Sequence, residues 1–457
     1  MSSAWSRIVV CALICLGASG VFGQENNFTI RPKINSPLSR FGLGDGIDQF
    51  FAASGGMGGF SAAYNAPYHL NLLNPASYAF LEATAFEVGL YAKYSSLKSN
   101  SESDSYWSGN LNYLALGFPL KNTINQALDR IRSPWKFGMG FSLAPYSTVG
   151  YDIAVTTIDP DPAIDTLSNF LKGNGGTYRL YWTNAARYKG FAVGLNLGYQ
   201  FGKIVNSRLV TFDDVEQAYY TEFLDDISIR GLVWNLGLQY RHDFKKINDK
   251  GEKINSGKRL TVGLYGNSNT DFNTNSNSYY HRDYLAYPGG GINIDTILYQ
   301  EGSDQKGVLP AELAVGVAYE QVNKFRLGLD FSTKNWSNYE NEVKKEALLD
   351  SWRIAVGGEY IPNNISYNNY FEKVRYRAGF FYGTDPRSIN DEQISQYGIT
   401  LGMGFPIIMP RQQTSFVDMS LEVGQQGVAD LLQETYVRLT LGFTLNDNSW
   451  FFKRKFN

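Results

Sequence analysis

Strict alternation of large apolar residues with small or polar ones dominates the chain from about residue 85 to its C-terminal end. In the stretch 191–201, FAVGLNLGYQF, every odd position is Phe, Val, Leu or Tyr, and every even position is Ala, Gly, Asn or Gln. Successive side chains of a β-strand point to opposite faces, so this pattern indicates a strand between two different environments. The same alternation recurs at 313–319, 325–331, 397–405 and 437–445.

The length of the predicted strands favours a transmembrane barrel over a soluble β-sandwich, whose strands also alternate. A strand that crosses a bilayer at a tilt needs roughly 9–11 residues, whereas globular strands have a mode of about 5–6. One face is rich in glycine, and the other carries aromatic residues near the strand ends, as in membrane barrels. The prediction is an all-β, antiparallel transmembrane barrel of about fourteen strands, at 85–95, 107–119, 134–147, 177–189, 190–203, 227–243, 257–268, 310–321, 323–334, 350–361, 373–383, 395–406, 415–424 and 435–446.

The connections between these strands differ on the two sides of the predicted barrel. Lys189-Gly190 and Val322-Asn323 are tight turns, whereas 148–176, 204–226 and 269–309 are long and polar. Short periplasmic turns and long extracellular loops are typical of outer-membrane barrels.

The stretch 120–133 is an exception, because its apolar residues have helical spacing. It predicts a short amphipathic periplasmic helix, with a partner-docking helix as the alternative.

Residues 1–23 are predicted to be a secretory signal peptide, with Arg7 before an apolar core at 8–18. A membrane-anchoring helix is the alternative, but the apolar run is too short to span a bilayer. Both cysteines, Cys11 and Cys15, fall in this segment, so the mature chain is expected to lack disulfides and thiolate metal sites. The formal net charge of −2 offers no basic surface for nucleic acid.

The stretch 36–81 does not alternate and is rich in Gly, Ala, Ser and Asn. We interpret residues 24–82 as an N-terminal extension followed by a hatch that plugs the barrel formed by 83–457. A plugged lumen must pair the charges that point into it. The residues predicted to form hatch–barrel ion pairs are Arg40, Asp45, Arg326, Asp330, Arg353, Glu359 and Arg377.

No arrangement for catalysis or cofactor binding is evident. His69, His242 and His281 are widely separated and lack metal-ligand spacing. Gly55–Gly59 has no Gly-Lys-Ser/Thr and follows no strand, so it does not predict a phosphate-binding loop. We expect a protein that is not an enzyme and needs no cofactor or metal.

The stretch 269–309 is predicted to be an extracellular loop with an unusual number of apolar residues. These residues either pack over the barrel mouth or form a hydrophobic site where a substrate first binds. The candidates for such a site are Tyr284, Leu285, Tyr287, Ile292 and Ile294.

The strand count, the glycine-rich N-terminal stretch and the sequence Asn74-Pro75-Ala76 together resemble the FadL-type family of outer-membrane transporters of long-chain fatty acids and other hydrophobic compounds. Further short motifs resemble that family in order: Leu309-Pro310-Ala311, Asp330 followed by Asn335-Trp336-Ser337, Arg353 to Tyr360, and Arg377 to Tyr382 with Asp385-Pro386. The resemblance implies a hatch with Asn74, Pro75 and Ala76 as its signature. It also implies lateral release of the substrate into the membrane.

Two functions follow as hypotheses, both in the outer membrane of a Gram-negative bacterium. The first is passive uptake of a hydrophobic small molecule such as a long-chain fatty acid, gated by the hatch. The alternative is a plugged FadL-like barrel that acts as a subunit of an outer-membrane secretion or assembly complex. Its docking features would be the extension 24–35, the helix at 120–133 and the basic tail 453–455. The expected partners are outer-membrane lipid, a hydrophobic ligand and, in the alternative, a protein complex, with no nucleic acid.

Overall fold

The structure is a computed structural model, and it describes residues 36–99, 103–121, 133–158, 166–212, 219–247, 249, 251–287, 290–409, 413–429 and 431–449. The predicted signal peptide, the extension 24–35, most of the predicted helix at 120–133 and the basic tail 453–455 lie outside the described residues. Within the described residues, no helix is long and apolar enough to cross a membrane.

Eighteen strands belong to one antiparallel sheet. Their bounds are β1 Asp45–Gly46, β2 Thr84–Ser99, β3 Ser103–Pro119, β4 Trp135–Ile158, β5 Thr166–Tyr188, β6 Phe191–Phe212, β7 Tyr219–Ile247, β8 Lys253–Asn267, β9 Thr270–Tyr287, β10 Gly290–Leu309, β11 Glu312–Gln321, β12 Phe325–Lys334, β13 Glu340–Asn341, β14 Ser351–Tyr360, β15 Arg375–Ile389, β16 Glu392–Met409, β17 Gln413–Val428 and β18 Leu432–Asp447. The helical elements are short: α1 Ala52–Gly55 and the 3-10 helices Pro37–Arg40, Pro75–Phe80, Trp336–Asn338 and Tyr370–Glu372.

Fourteen of these strands form a closed wall. Neighbouring strands pair in the order β2 to β8, then β11, β12 and β14 to β18. The last strand pairs with the first along its whole length, from Leu432 opposite Ser99 to Asp447 opposite Thr84. The prediction of a fourteen-strand antiparallel barrel is therefore confirmed, and each predicted strand overlaps one wall strand.

Alternation in the sequence becomes alternation between the two faces of the wall. On β12, Leu327 is 59% exposed, whereas its neighbour Arg326 is 5% exposed. Leu329 and Phe331 continue the outward face, and Asp330 is buried inside. Burying the polar face and exposing the apolar one is the pattern expected of a wall surrounded by lipid.

The two rims of the barrel differ in their connections. The turn side carries the tight turns at Lys189 and Asn323, which both have positive φ angles of 53° and 59°. The loop side is the opposite rim, where β5 and β7 begin.

The interpretation of 269–309 as a loop is wrong, because this stretch forms the long hairpin of β9 and β10. β9 pairs with β7 from Tyr219 to Arg230, which lie on the loop side of the residues of β7 that pair with β8. Likewise, much of 148–176 and 204–226 continues β4 to β7 rather than forming loops. We call the resulting projection the loop-side sheet; it consists of 147–158, 166–177, 203–212, 219–230, β9 and β10.

The N-terminal segment, residues 36–82, lies against the inner face of the wall on all sides. Its contacts include Gly56 with Gly402, Phe60 with Gly328, Ala62 with Gly263 and Pro75 with Gly194. These wall residues belong to β16, β12, β8 and β6, so the segment occupies the interior of the cylinder at their level. Most of its side chains are buried, among them Met57, Phe60, Tyr64 and Tyr78.

Candidate functional site

Glycines of the wall let the N-terminal segment approach its backbone closely. A Cβ atom at Gly263 would overlap the carbonyl oxygen of Ala62, and one at Gly237 would overlap the side chain of Asn74. The small-residue face seen in the sequence is therefore the surface that accommodates the segment.

Asn74, Pro75 and Ala76 lie where the segment meets β6 to β8. The Asn74 side chain caps the 3-10 helix Pro75–Phe80 by accepting from the Ala76 N–H at 3.1 Å. Its amide nitrogen donates to the carbonyl oxygens of Ala62 at 2.6 Å and of Leu238 and Leu264 at 3.3 Å. Asn74 thus joins two parts of the segment to two wall strands.

A buried ion network connects three wall strands on the side opposite Asn74. Arg377 Nε lies 2.8 Å from Glu359, and its guanidinium also contacts Asp418. The side chain of Arg377 is fully buried, and those of Glu359 and Asp418 are 5% and 2% exposed. His69 of the segment lies 3.6 Å from both Asp418 and Glu87. The predicted residues Glu359 and Arg377 are therefore brought together within the wall rather than across to Arg40 or Asp45.

Other predicted wall charges bind backbone groups of the segment. Asp330 accepts hydrogen bonds from the N–H groups of Ser61 and Ala62, the latter at 2.6 Å. Arg353 donates to the carbonyl of Gly58 at 2.9 Å, and its guanidinium lies 4.7 Å from the ring centre of Phe50.

Arg326 donates to the carbonyl of Asn65 at 3.1 Å and pairs with Glu320 at 3.2 Å. Most of the predicted wall charges thus bind main-chain groups of the segment. Such contacts cannot be predicted by matching opposite charges in the sequence.

The start of the segment is fastened at the loop side. Asp45 pairs with Arg387, which also donates to the carbonyl of Leu38 at 2.8 Å and to Asp385 at 2.6 Å. Sequence reasoning missed Arg387, although Asp385-Pro386 directly precedes it. Arg40 has no ion pair among the described residues, and its carbonyl accepts from Lys344.

Burial lowers the pKa of the Lys344 amine, against the opposing charge of Glu346 at 3.1 Å.

A cavity of about 230 Å³ lies between residues 41–50 of the segment and the wall. Charged side chains contribute much of its lining: Lys93, Arg179, Lys334, Arg353, Glu312 and Asp330. Typical small-molecule sites measure about 300–1,000 Å³ and are predominantly apolar. This cavity is smaller and more polar than that. Within the described ranges, no group of His, Cys, Asp or Glu is arranged to hold a metal ion.

The wall has a break between β3 and β4. These strands pair only from Leu114 opposite Leu143 to Pro119 opposite Gly138, and their loop-side halves have separated. The N-terminal segment covers the free edge of β4 there. Asp45 and Gly46 of β1 lie opposite Thr148 and Ser147, and the Ser36 N–H donates to the Gly150 carbonyl at 2.8 Å.

The five predicted substrate-site residues lie at the tip of the hairpin. Tyr284, Leu285 and Tyr287 end β9, and Ile292 and Ile294 begin β10, with Tyr284 opposite Ile292. The ring of Tyr284 lies 5.8 Å from that of Tyr219, and Ile294 is 50% exposed. The backbone of these residues therefore lies on the projecting sheet, and Tyr284 and Ile294 do not line the cavity.

These features define the class of the protein: a β-barrel of the outer-membrane type with an occupied lumen. A family model described as BamG matches residues 6–457, so the chain belongs to the BamG family. No curated protein matches the sequence with statistical significance.

Solved structures share the fold at low sequence identity. The "CymD monoaromatic hydrocarbon channel" is 16% identical, with 89% of this chain and 99% of that chain covered and a TM-score of 0.51. A Pseudomonas aeruginosa FadL homologue is 12% identical, with 86% and 97% covered and a TM-score of 0.51. A TodX mutant, also titled a monoaromatic hydrocarbon channel, is 14% identical, with 87% and 99% covered and the same TM-score. The predicted resemblance to the FadL-type family is confirmed for the fold.

Proposed function

We propose that this protein is an interaction subunit of the outer membrane of a Gram-negative bacterium. In this proposal the barrel anchors the chain, and the N-terminal segment keeps the lumen closed. The loop-side sheet then binds a protein partner outside the membrane. The observation that carries the proposal is the set of exposed apolar side chains on that sheet.

The loop-side sheet extends beyond what a membrane wall needs. β7 has 29 residues and β4 has 24, whereas a bilayer crossing takes roughly 9–11. The surplus residues pair with one another and, through β7, with β9, which in turn pairs with β10, so the projection is a sheet of definite shape. A sheet of this size outside the lipid offers a rigid surface for recognition.

Apolar side chains on this sheet are exposed where lipid would not cover them. Tyr299 is 63% exposed, Ile294 50% and Ile297 47%. Val155, Phe170, Tyr219 and Leu298 add further exposed apolar surface. Exposed apolar surface outside a membrane is typical of protein contact sites.

The interior favours the same function. The lumen is held closed by fully buried charges such as Arg377 and by main-chain hydrogen bonds to the segment. Opening it would expose or separate those buried groups, which is costly. The cavity is small and lined by charged side chains, so it is poorly suited to bind an apolar solute.

Site-specific photo-crosslinking tests the proposal. A photoreactive amino acid at Ile297 or Tyr299 is expected to give one protein adduct of defined mass in intact cells. The same amino acid at the outward wall residue Phe331, which is 45% exposed, is the matched control and is expected to give no such adduct. An absence of adducts at both sheet positions would contradict the proposal.

Uptake of hydrophobic molecules such as long-chain fatty acids is the second candidate. The break between β3 and β4 favours it, because displacement of residues 36–49 would leave a gap in the wall through which a solute leaves sideways. Two solved structures of the same fold are titled monoaromatic hydrocarbon channels.

A disulfide between β1 and β4 distinguishes the two candidate functions. Cysteines at Gly46 and Ser147, which lie opposite each other, would form a disulfide that fixes the segment on β4. Gated uptake predicts that oxidation stops solute entry and reduction restores it. The interaction subunit keeps its function in both states.

A further inference from the structure

The inner face of the barrel carries a cluster of cations near the turn side, away from the loop-side sheet and the cavity. This cationic cluster consists of Lys136 on β4, Arg187 on β5, Arg241 on β7 and Arg259 on β8. Lys136 lies directly opposite Arg187 in the ladder, and the Arg241 N–H donates to the Gly190 carbonyl one turn away. The four side chains thus share one sector of the turn-side mouth.

Phe80 of the N-terminal segment joins the two central members of the cluster. The guanidinium of Arg187 lies 4.4 Å from the centre of its ring, and that of Arg241 lies 4.7 Å from it. An aromatic face attracts a cation but contributes no net negative charge. The ring positions the two guanidinium groups without neutralising them.

Carboxylates balance only half of this charge. Asp243 lies 3.0 Å from Arg259 and 3.6 Å from Arg241. Glu82 follows two residues after Phe80 and is exposed. Glu320 lies opposite Arg259 on β11 but pairs with Arg326 at 3.2 Å. Among the described residues, the four cations and the two remaining carboxylates leave the sector with a net charge of +2.

Arg187 is the most deeply buried member of the cluster. It is 8% exposed, and among the described residues no carboxylate lies within 4.0 Å of it and no side-chain hydrogen bond reaches it. A largely buried cation without a carboxylate partner is costly, which favours an anion from outside the chain at this position. Arg241 and Arg259 are 16% and 23% exposed, so water reaches the cluster from the turn side.

We propose that the cationic cluster binds a phosphate group, as inorganic phosphate or as a phosphate monoester. A phosphate monoester carries a charge of about −1.5 to −2 near pH 7, which matches the excess positive charge of the sector. Guanidinium groups bind phosphate oxygens through two parallel hydrogen bonds, and a lysine adds a point charge. Arg187 and Arg241, fixed by Phe80, provide the guanidinium groups.

The test uses the full-length protein in detergent micelles, with inorganic phosphate as the probe. Binding is measured by calorimetry, and urea unfolding is followed with and without phosphate. The wild type is expected to bind phosphate and to unfold at higher urea when phosphate is present. Arg187→Met is expected to lose at least about tenfold in affinity. It is also expected to unfold at higher urea than the wild type without phosphate, since a lone buried charge has been removed.

Arg208→Met is the matched control, because Arg208 is exposed on the loop-side sheet and bonds Asn169. This variant should bind phosphate like the wild type, and Arg187→Lys should retain part of the binding. Equal phosphate binding by Arg187→Met and the wild type would overturn the proposal. So would binding of short acidic peptides in place of phosphate.

Two further probes distinguish the sources of the phosphate group. Vesicles containing phosphatidic acid, compared with pure phosphatidylcholine, test a lipid headgroup, and glycerol phosphate tests a soluble monoester. Arg187-dependent binding of either supports the site and identifies its source.

Discussion

Removing the buried guanidinium of Arg377 is expected to destabilise the barrel strongly. The Arg377→Met change keeps an unbranched side chain of adequate length but leaves Glu359 and Asp418 in the interior with less positive charge. Their side chains are only 5% and 2% exposed. Breaking a buried ion pair by removing one partner costs about 3–5 kcal/mol.

The surroundings place the expected cost at the lower end of this range. Arg375 remains 3.7 Å from Glu359, and His69 remains 3.6 Å from Asp418. We therefore expect the free energy of unfolding to fall by about 3 kcal/mol, which corresponds to roughly a hundredfold in the folded-to-unfolded ratio.

Urea unfolding in detergent micelles, followed by tryptophan fluorescence and by heat-dependent gel mobility, measures this change. Lys172→Met is the control, because Lys172 and Asp152 form an exposed pair at 3.4 Å that contributes about 0–1 kcal/mol. Adding Glu359→Gln and Asp418→Asn to Arg377→Met should recover most of the loss, since both buried carboxylates are then neutral, and Arg375, which loses Glu359, is 15% exposed to water. A loss below about 0.5 kcal/mol in the single variant, or no recovery in the triple variant, would refute the reasoning.

Three further predictions concern the packing of the segment and one loop. Gly263→Ala should destabilise the barrel by about 1–3 kcal/mol because the new methyl group overlaps the Ala62 carbonyl, whereas Gly46→Ala, with open space around it, should be nearly neutral in the same urea assay. Asn74→Ala should cost about 1–2 kcal/mol through the lost cap, and Asn335→Ala, at a cap without a side-chain hydrogen bond, should cost less; equal effects would contradict this role. Hydrogen bonds from Ser337 lower the pKa of Asp350, so the carboxylate stabilises its loop above the pKa of the unfolded chain, and this stabilisation disappears as pH falls through the folded value. Asp350→Asn should therefore increase proteolysis of residues 336–350 at neutral pH and make no difference in strong acid; a difference that persists in acid would contradict the assignment.

The sequence was sufficient to predict the wall because lipid outside and a polar interior impose opposite demands on neighbouring residues. Leu327 and Arg326 show both demands in adjacent positions. On the loop side, outside the membrane, water reaches both faces of a strand, so neighbouring positions no longer differ sharply in polarity. β9 and β10, with Asn273, Asn275 and Asn277 on one strand, were for that reason predicted to be a loop.

The contacts of the interior were harder to predict, because they depend on register between distant strands. Asp330 binds main-chain N–H groups of Ser61 and Ala62, which carry no signal in the sequence. Asp45 pairs with Arg387, more than three hundred residues later in the chain. Arg187 is inward-facing by alternation, but only the folded structure reveals that no carboxylate of the described residues pairs with it.

The mass of the complex extracted from membranes in mild detergent tests the central claim most directly. The measurement compares the wild type with a variant in which Ile297 and Tyr299 are both replaced by Asp, changes that leave the wall and the N-terminal segment untouched. We predict that the wild type is isolated with one protein partner at a fixed ratio, and that the variant is isolated as a folded barrel alone. A wild type that is isolated alone, or a variant that keeps the same partner at the same ratio, would contradict the account.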